Sequence, residues 1–91
     1  MKHLYSHNNN PYHNWIHGYS VLQATYNLLC GTPAGEVFDI LEIFALLIAS
    51  LCHDVDHTGR NNTFEVNKGS SHAMNYNDVS VLENHHASTT F

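Results

Sequence analysis

Two short words of this chain hold most of its chemistry, HNWIH at 13–17 and HDVDH at 53–57. They supply His13, His17, His53, Asp54, Asp56 and His57, all able to ligate a metal ion or carry a proton, in a chain only 12% charged. A third word, SVLENHH at 80–86, adds Glu83, His85 and His86. Imidazole and carboxylate together suit Zn, Fe, Mn or Mg rather than a soft thiolate site. Adjacent His53 and Asp54 can both turn toward one ion, the imidazole as a neutral nitrogen donor and the carboxylate able to bridge to a second ion.

Each group also has an ordinary structural explanation. Histidines four apart, such as His13 and His17, occur on the surfaces of amphipathic helices, and without a Glu after the first His the HExxH zinc-protease pattern is absent. One of the pair could instead bind metal while the other carries protons. Glu83 completes an SxxE capping box with Ser80, or it joins His86, three residues on, in orienting metal-bound water. His3, His7 and His72 have no partner pattern and read as surface residues.

The elements that must position these groups read as helices. Residues 1–12 are polar and asparagine-rich, and Pro11 suits the first turn of a helix starting near Tyr12. Ile16, Tyr19, Leu22, Tyr26 and Leu29 recur at the helical period and place His13 and His17 on one face. Gly31, Pro33 and Gly35 punctuate a loop, and Asp39 with Glu42 forms a capping box for a second helix. From Ile40 to Cys52 only Glu42 and Ser50 interrupt the apolar run. That is about half the ~20 residues needed to cross a bilayer, so a central buried helix is expected.

HDVDH follows that helix at once, where uncompensated polar groups would be costly and metal coordination would remove the cost. Thr58 to Lys68 reads as a loop around Gly59 with one helical turn near Asn62 to Val66. A short helix at Ser71–Tyr76, capped by Ser70 or Ser71, precedes a last helix from about Ser80. No repeat or alternating strand pattern occurs, so the expected fold class is all-α.

Composition narrows the partners. With 91 residues the chain sits low in the range for a domain, where folding buries only about 60–65% of the unfolded surface. Its low charge, against a usual ~25%, suggests surface meant to be covered by missing helices of the same domain. A net charge of −5 with three Lys and Arg argues against a nucleic-acid polymer, which needs clustered basic residues. Cys30 and Cys52 lack a CxxC partner and read as buried thiols of a reducing, cytoplasmic (intracellular) compartment. No secretory signal or transmembrane segment is visible.

The segments NPYHNWIHGYSVLQ, LEIFALLIASLCHDVDHTGRNNTF and YNDVSVLENHH, in that order, resemble the catalytic domain of class I cyclic nucleotide phosphodiesterases over residues 10–91. The resemblance implies an all-helical HD-type domain with two divalent metal ions, Zn plus Mg or Mn, hydrolysing cyclic AMP or cyclic GMP to the 5′-monophosphate in signal transduction. It implies His13 as the general acid that protonates the departing 3′ oxygen. His17, His53 and Asp54 become ligands of the tighter metal, with Asp54 bridging to the second. His57 and Glu83 help hold the metal-bound water, and His86 supports them. Asp56 and Asn62 are expected to be structural.

Gly18 and Thr58 depart from the alanine and proline common in the family, and neither removes a ligand. The family's remaining metal-binding aspartate and its glutamine and aromatic base clamp lie beyond residue 91. The expectation is therefore a truncated part of the catalytic domain over 10–91 behind a polar segment at 1–9, nearly inactive alone. Two alternatives stand beside it: a nucleotidase of the HD superfamily, and a non-catalytic metal-binding fragment.

Overall fold

Local capping chemistry sets most of the helix boundaries. The structure, a computed structural model, describes residues 2–6 and 8–91. They form α1 (Lys2–Ser6), α2 (Trp15–Gly31), α3 (Ala34–Val37), α4 (Ile40–Cys52), α5 (Asn62–Lys68), α6 (Ser71–Asn75) and α7 (Val81–Thr90), with no strand among the described residues. The fold is all-α, as expected. The role expected of His7 lies outside the described residues.

α2 starts at Trp15 rather than near Tyr12. Asn14 is its N-cap, with extended backbone and a side-chain oxygen that accepts the His17 N–H at 3.1 Å. The Asn10 side chain accepts the N–H groups of Tyr12 and His13, each at 3.2 Å, and so keeps this stretch in a turn. His13 therefore lies in the approach to the helix instead of sharing a helical face with His17.

α4 has the expected capping box: Glu42 N–H donates to Asp39 and Asp39 N–H to Glu42, both at 2.9 Å. It packs chiefly against α2 and, near its end, against α7, and Ser50 Oγ donates to Thr25 Oγ1 across the α2 contact at 2.9 Å. The helix is not buried all round. Ile40, Leu41 and Phe44 are 81%, 74% and 64% exposed, because no described element covers that side. On α2, likewise, Ile16, Tyr19 and Tyr26 are exposed, while Val21, Leu22, Thr25 and Leu29 are half-buried. A radius of gyration of 14.8 Å exceeds the ~12 Å of a compact domain of this length.

The core sits where α1, the start of α2 and the end of α4 meet. Tyr5, Cys52 and Val55 are buried there, with Leu4, Trp15 and Leu51 packed around them. The polar N-terminal stretch thus carries a helix that the sequence does not signal, anchored by Tyr5 edge-on to Trp15 at 6.2 Å between ring centroids. Cys30, expected to be buried, is exposed at the end of α2, whereas Cys52 is buried.

Beyond the HDVDH turn, the stretch read as a loop with one helical turn is the seven-residue α5, capped by Asn61 and closed by Gly69 in the left-handed conformation at φ 66°. α6 starts on the expected Ser70 cap, and the Gly31–Gly35 loop holds the single turn α3. No described helix is long and apolar enough to cross a membrane.

Candidate metal centre

The turn after α4 carries His53, Asp54 and His57, the start of α2 brings His17 to it and the approach to that helix brings His13, and α7 brings His86. Asp54 is the hub. Its Oδ2 lies 3.2 Å from His17 Nε2 and 3.0 Å from His53 Nε2, and its Oδ1 lies 3.8 Å from His86 Nε2. Two groups of donor atoms, His17/His53/Asp54 and Asp54/His57/His86, are each close enough to hold one ion, and Asp54 belongs to both.

Hydrogen bonds fix which ring nitrogens can ligate. His53 Nδ1 lies 2.8 Å from the Ser50 carbonyl and His86 Nδ1 lies 2.6 Å from the Val55 carbonyl. A carbonyl only accepts, so each Nδ1 carries a proton, and in the neutral ring Nε2 presents its lone pair. Those lone pairs face the Asp54 oxygens. Lone pair against carboxylate is repulsive unless a cation lies between them, so the donor set fits a divalent metal. A backbone carbonyl behind each of these imidazoles is the support that metal-binding histidines ordinarily have.

His57 is wired the other way. Its Nδ1 accepts the Gly59 N–H at 2.9 Å, so the neutral ring carries its proton on Nε2 and acts as a donor. Burial, reinforced by the neighbouring His13, lowers the His57 pKa from 6.5 to about 4. The His13 ring stacks on His57 at 3.8 Å and 7°, and His86 lies beyond at 5.3 Å. Burial also lowers the His86 pKa, opposed by its bond to Val55. Both rings are neutral at neutral pH.

Glu83 does not take part in a capping box. Ser80 is left-handed at φ 42° and makes no side-chain cap bond. Asn62 takes that role from α5: its Oδ1 accepts the Leu82 N–H at 2.9 Å, and its Nδ2 donates to the Glu83 carboxylate at 3.0 and 3.3 Å. The Asn62 bond holds Glu83 below the usual carboxylate range, so it is an anion at neutral pH. His13, His57, Arg60, Asn62 and Glu83 line an open depression of about 440 Å³.

Some partners escaped the sequence reading. His72, expected to have none, packs on His85 at 4.1 Å between rings, and His85 Nε2 meets Asp56 Oδ2 at 3.0 Å. From the N-terminal stretch, Tyr5 bonds to Leu51 at the end of α4 and to Asp54, and Asn8 bonds to His57. No local pattern announces contacts between residues more than forty positions apart; the only sequence signal was an aromatic residue within a polar run.

Known proteins share this arrangement of words and helices. The chain is 51% identical over 83 residues to the 3′,5′-cyclic-nucleotide phosphodiesterase regA of Dictyostelium discoideum, covering 91% of this chain and 10% of that protein. It is 48% identical over 85 residues to the human high affinity cAMP-specific and IBMX-insensitive 3′,5′-cyclic phosphodiesterase 8A, covering 93% of this chain and 10% of that protein. The mouse high affinity cGMP-specific 3′,5′-cyclic phosphodiesterase 9A is 45% identical over 85 residues, covering 91% and 16%.

The crystal structure of the phosphodiesterase domain of the RhoPDE fusion protein from the choanoflagellate Salpingoeca rosetta superposes with a TM-score of 0.91 at 47% identity. That match covers 99% of this chain and 27% of that one. The chain thus spans about a tenth to a sixth of the curated relatives named here. The family model for 3′5′-cyclic nucleotide phosphodiesterase matches residues 12–91, and the chain belongs to that family.

Proposed function

We propose that the protein hydrolyses 3′,5′-cyclic nucleotides, cyclic AMP or cyclic GMP, to 5′-monophosphates, and that residues 10–91 are the part of its catalytic domain carrying most of the metal centre, behind a polar segment at 1–9. The observation that carries the proposal is the convergence of the Nε2 atoms of His17, His53 and His86 on the Asp54 carboxylate. His17, His53 and Asp54 would hold the tighter ion, Zn, and Asp54 would share the second, Mg or Mn. When bound, such ions polarise phosphoryl oxygens and acidify water.

The remaining steps fall to the chain's own groups. His57, neutral and with its proton on Nε2, donates a hydrogen bond to the attacking water and orients it. Glu83, held as an anion by Asn62, accepts from that water. His13, stacked on His57 at the edge of the same depression, would bring the proton to the departing 3′ oxygen. His86, tied to Val55, keeps Asp54 company in the shared position. An intracellular location fits two cysteines without CxxC spacing.

A substrate panel on the full-length protein tests this reading. Hydrolysis of a cyclic nucleotide, with nucleoside monophosphates untouched, is the expected result. Attack on monophosphates alone would contradict it.

A further inference from the structure

The N-terminal stretch runs along the turn that carries the metal-centre residues and bonds to it at several points. Tyr5, only 2% exposed, donates its hydroxyl to the Leu51 carbonyl at 2.6 Å and accepts the Asp54 N–H at 3.4 Å. Asn8 Nδ2 donates to the His57 carbonyl at 2.9 Å and to Asp56 Oδ1 at 3.2 Å. One side chain thus spans the end of α4 and the backbone of Asp54, while another holds the far side of the turn. Asp56 itself adopts a left-handed φ of 55°, a conformation that costs a non-glycine residue and persists only when its surroundings enforce it.

Gly18, next to His17, makes room for this contact. A Cβ built on it would meet Tyr5 Cζ at 2.8 Å and the hydroxyl oxygen at 2.9 Å, closer than carbon and oxygen atoms pack. Tyr5 is enclosed by Trp15, Leu51 and Val55, so its ring has little space to retreat. Burial raises the Tyr5 pKa to about 12, which keeps the hydroxyl a donor at neutral pH.

We propose that Tyr5 is a positioning residue for the metal centre: its hydroxyl fixes the Leu51–Asp54 turn so that the Asp54 carboxylate faces His17, His53 and His86, and Gly18 lacks a side chain to admit it. The inference rests on the reading of Asp54 as a metal ligand. Groups that orient a metal ligand from behind typically change affinity 10–100-fold when removed. Because this hydroxyl acts through the backbone of Asp54, the loss belongs at the lower end of that range.

The test is Mn²⁺ binding by the full chain, followed by the electron paramagnetic resonance of the free ion, with Co²⁺ absorption as a report on ligand geometry. Tyr5→Phe keeps the ring and is expected to bind Mn²⁺ about tenfold more weakly, with a changed Co²⁺ band and unchanged helical circular dichroism. Gly18→Ala is expected to do the same. The double variant is expected to lose no more than the weaker-binding single one, because both disturb one contact.

Asn8→Ala, an exposed change that leaves the core intact, is expected to weaken binding about threefold, on the same scale of outer contacts. Asp54→Ala is the reference and should abolish binding. Wild-type affinity in both Tyr5→Phe and Asn8→Ala, with Asp54→Ala inactive in binding, would overturn the positioning role alone. Wild-type affinity in Asp54→Ala would overturn the metal-site reading and the inference with it.

Discussion

The imidazoles of His13 and His57 lie parallel, 3.8 Å apart, although the two residues are 44 positions apart in sequence. Two stacked rings cannot easily both be cationic, and burial already disfavours charge on His57, with His13 adding to it. His57 is therefore the neutral hydrogen-bond donor of the pair, and His13 helps to keep it so. Replacing His13 should show this directly. In His13→Ala the His57 pKa is expected to move from about 4 back toward its ordinary value, followed by NMR titration of the ring. In the full-length protein the same change is expected to lower kcat by about 10²–10⁴-fold, the usual contribution of a general acid, with bound metal retained.

Asn62 joins α5 to α7 and holds Glu83 by the same amide. Asn62→Ala removes the helix cap on Leu82, a buried residue, and is expected to cost about 1–2 kcal/mol of stability. Asn62→Asp should keep the cap on Leu82 but set a carboxylate against Glu83. Thermal unfolding is expected to show a large loss for the first variant and a smaller one for the second, whereas turnover by the full-length protein should fall in both. Equal stability of Asn62→Ala and the wild type would remove the capping role.

Asn62 also shows where sequence reading stops. The Asp39–Glu42 box and the Ser70 cap are local, with donor and acceptor three residues apart, and both were legible. Ser80 and Glu83 have the same spacing, yet the left-handed Ser80 backbone defeats the cap and a residue about twenty positions away supplies it. α1 was hidden for a related reason. Five residues of mixed polarity carry no periodicity, and Tyr5 is helical because its ring finds Trp15 and its hydroxyl finds Leu51.

Hydrophobicity is an incomplete guide to burial in this chain. α4 is apolar nearly all round, yet α2 and α7 cover only part of it. The grouping of His17, His53 and Asp54 was more legible than the fold around it, since His and Asp at fixed spacing on a helix end lie close together whatever packs behind them. The hydrogen bonds that decide which nitrogen of each His is the donor, at Ser50, Val55 and Gly59, had no sequence signal.

Acid is expected to destabilise the chain before its carboxylates titrate. His57 and His86 are held below their ordinary 6.5 in the folded state, so between about pH 6.5 and pH 4 the unfolded chain binds protons that the folded chain refuses. Stability therefore rises with pH across that window and falls as pH drops through it. For His57, half-screened by solvent, the contribution is about 1 kcal/mol, or roughly 5 °C in Tm. Melting of the metal-free chain at pH 7.5 and pH 5 checks this, and His57→Gln is expected to flatten the difference.

The most direct test of the account is the Zn²⁺ and Mn²⁺ content of the full-length protein, with and without Asp54→Ala. Because among the described residues Asp54 is shared by both groups of candidate donor atoms, its removal is expected to empty both positions and abolish hydrolysis of cyclic AMP and cyclic GMP. Metal content unchanged in Asp54→Ala would contradict the account, since the three imidazoles that point at this carboxylate would then have converged for some other purpose.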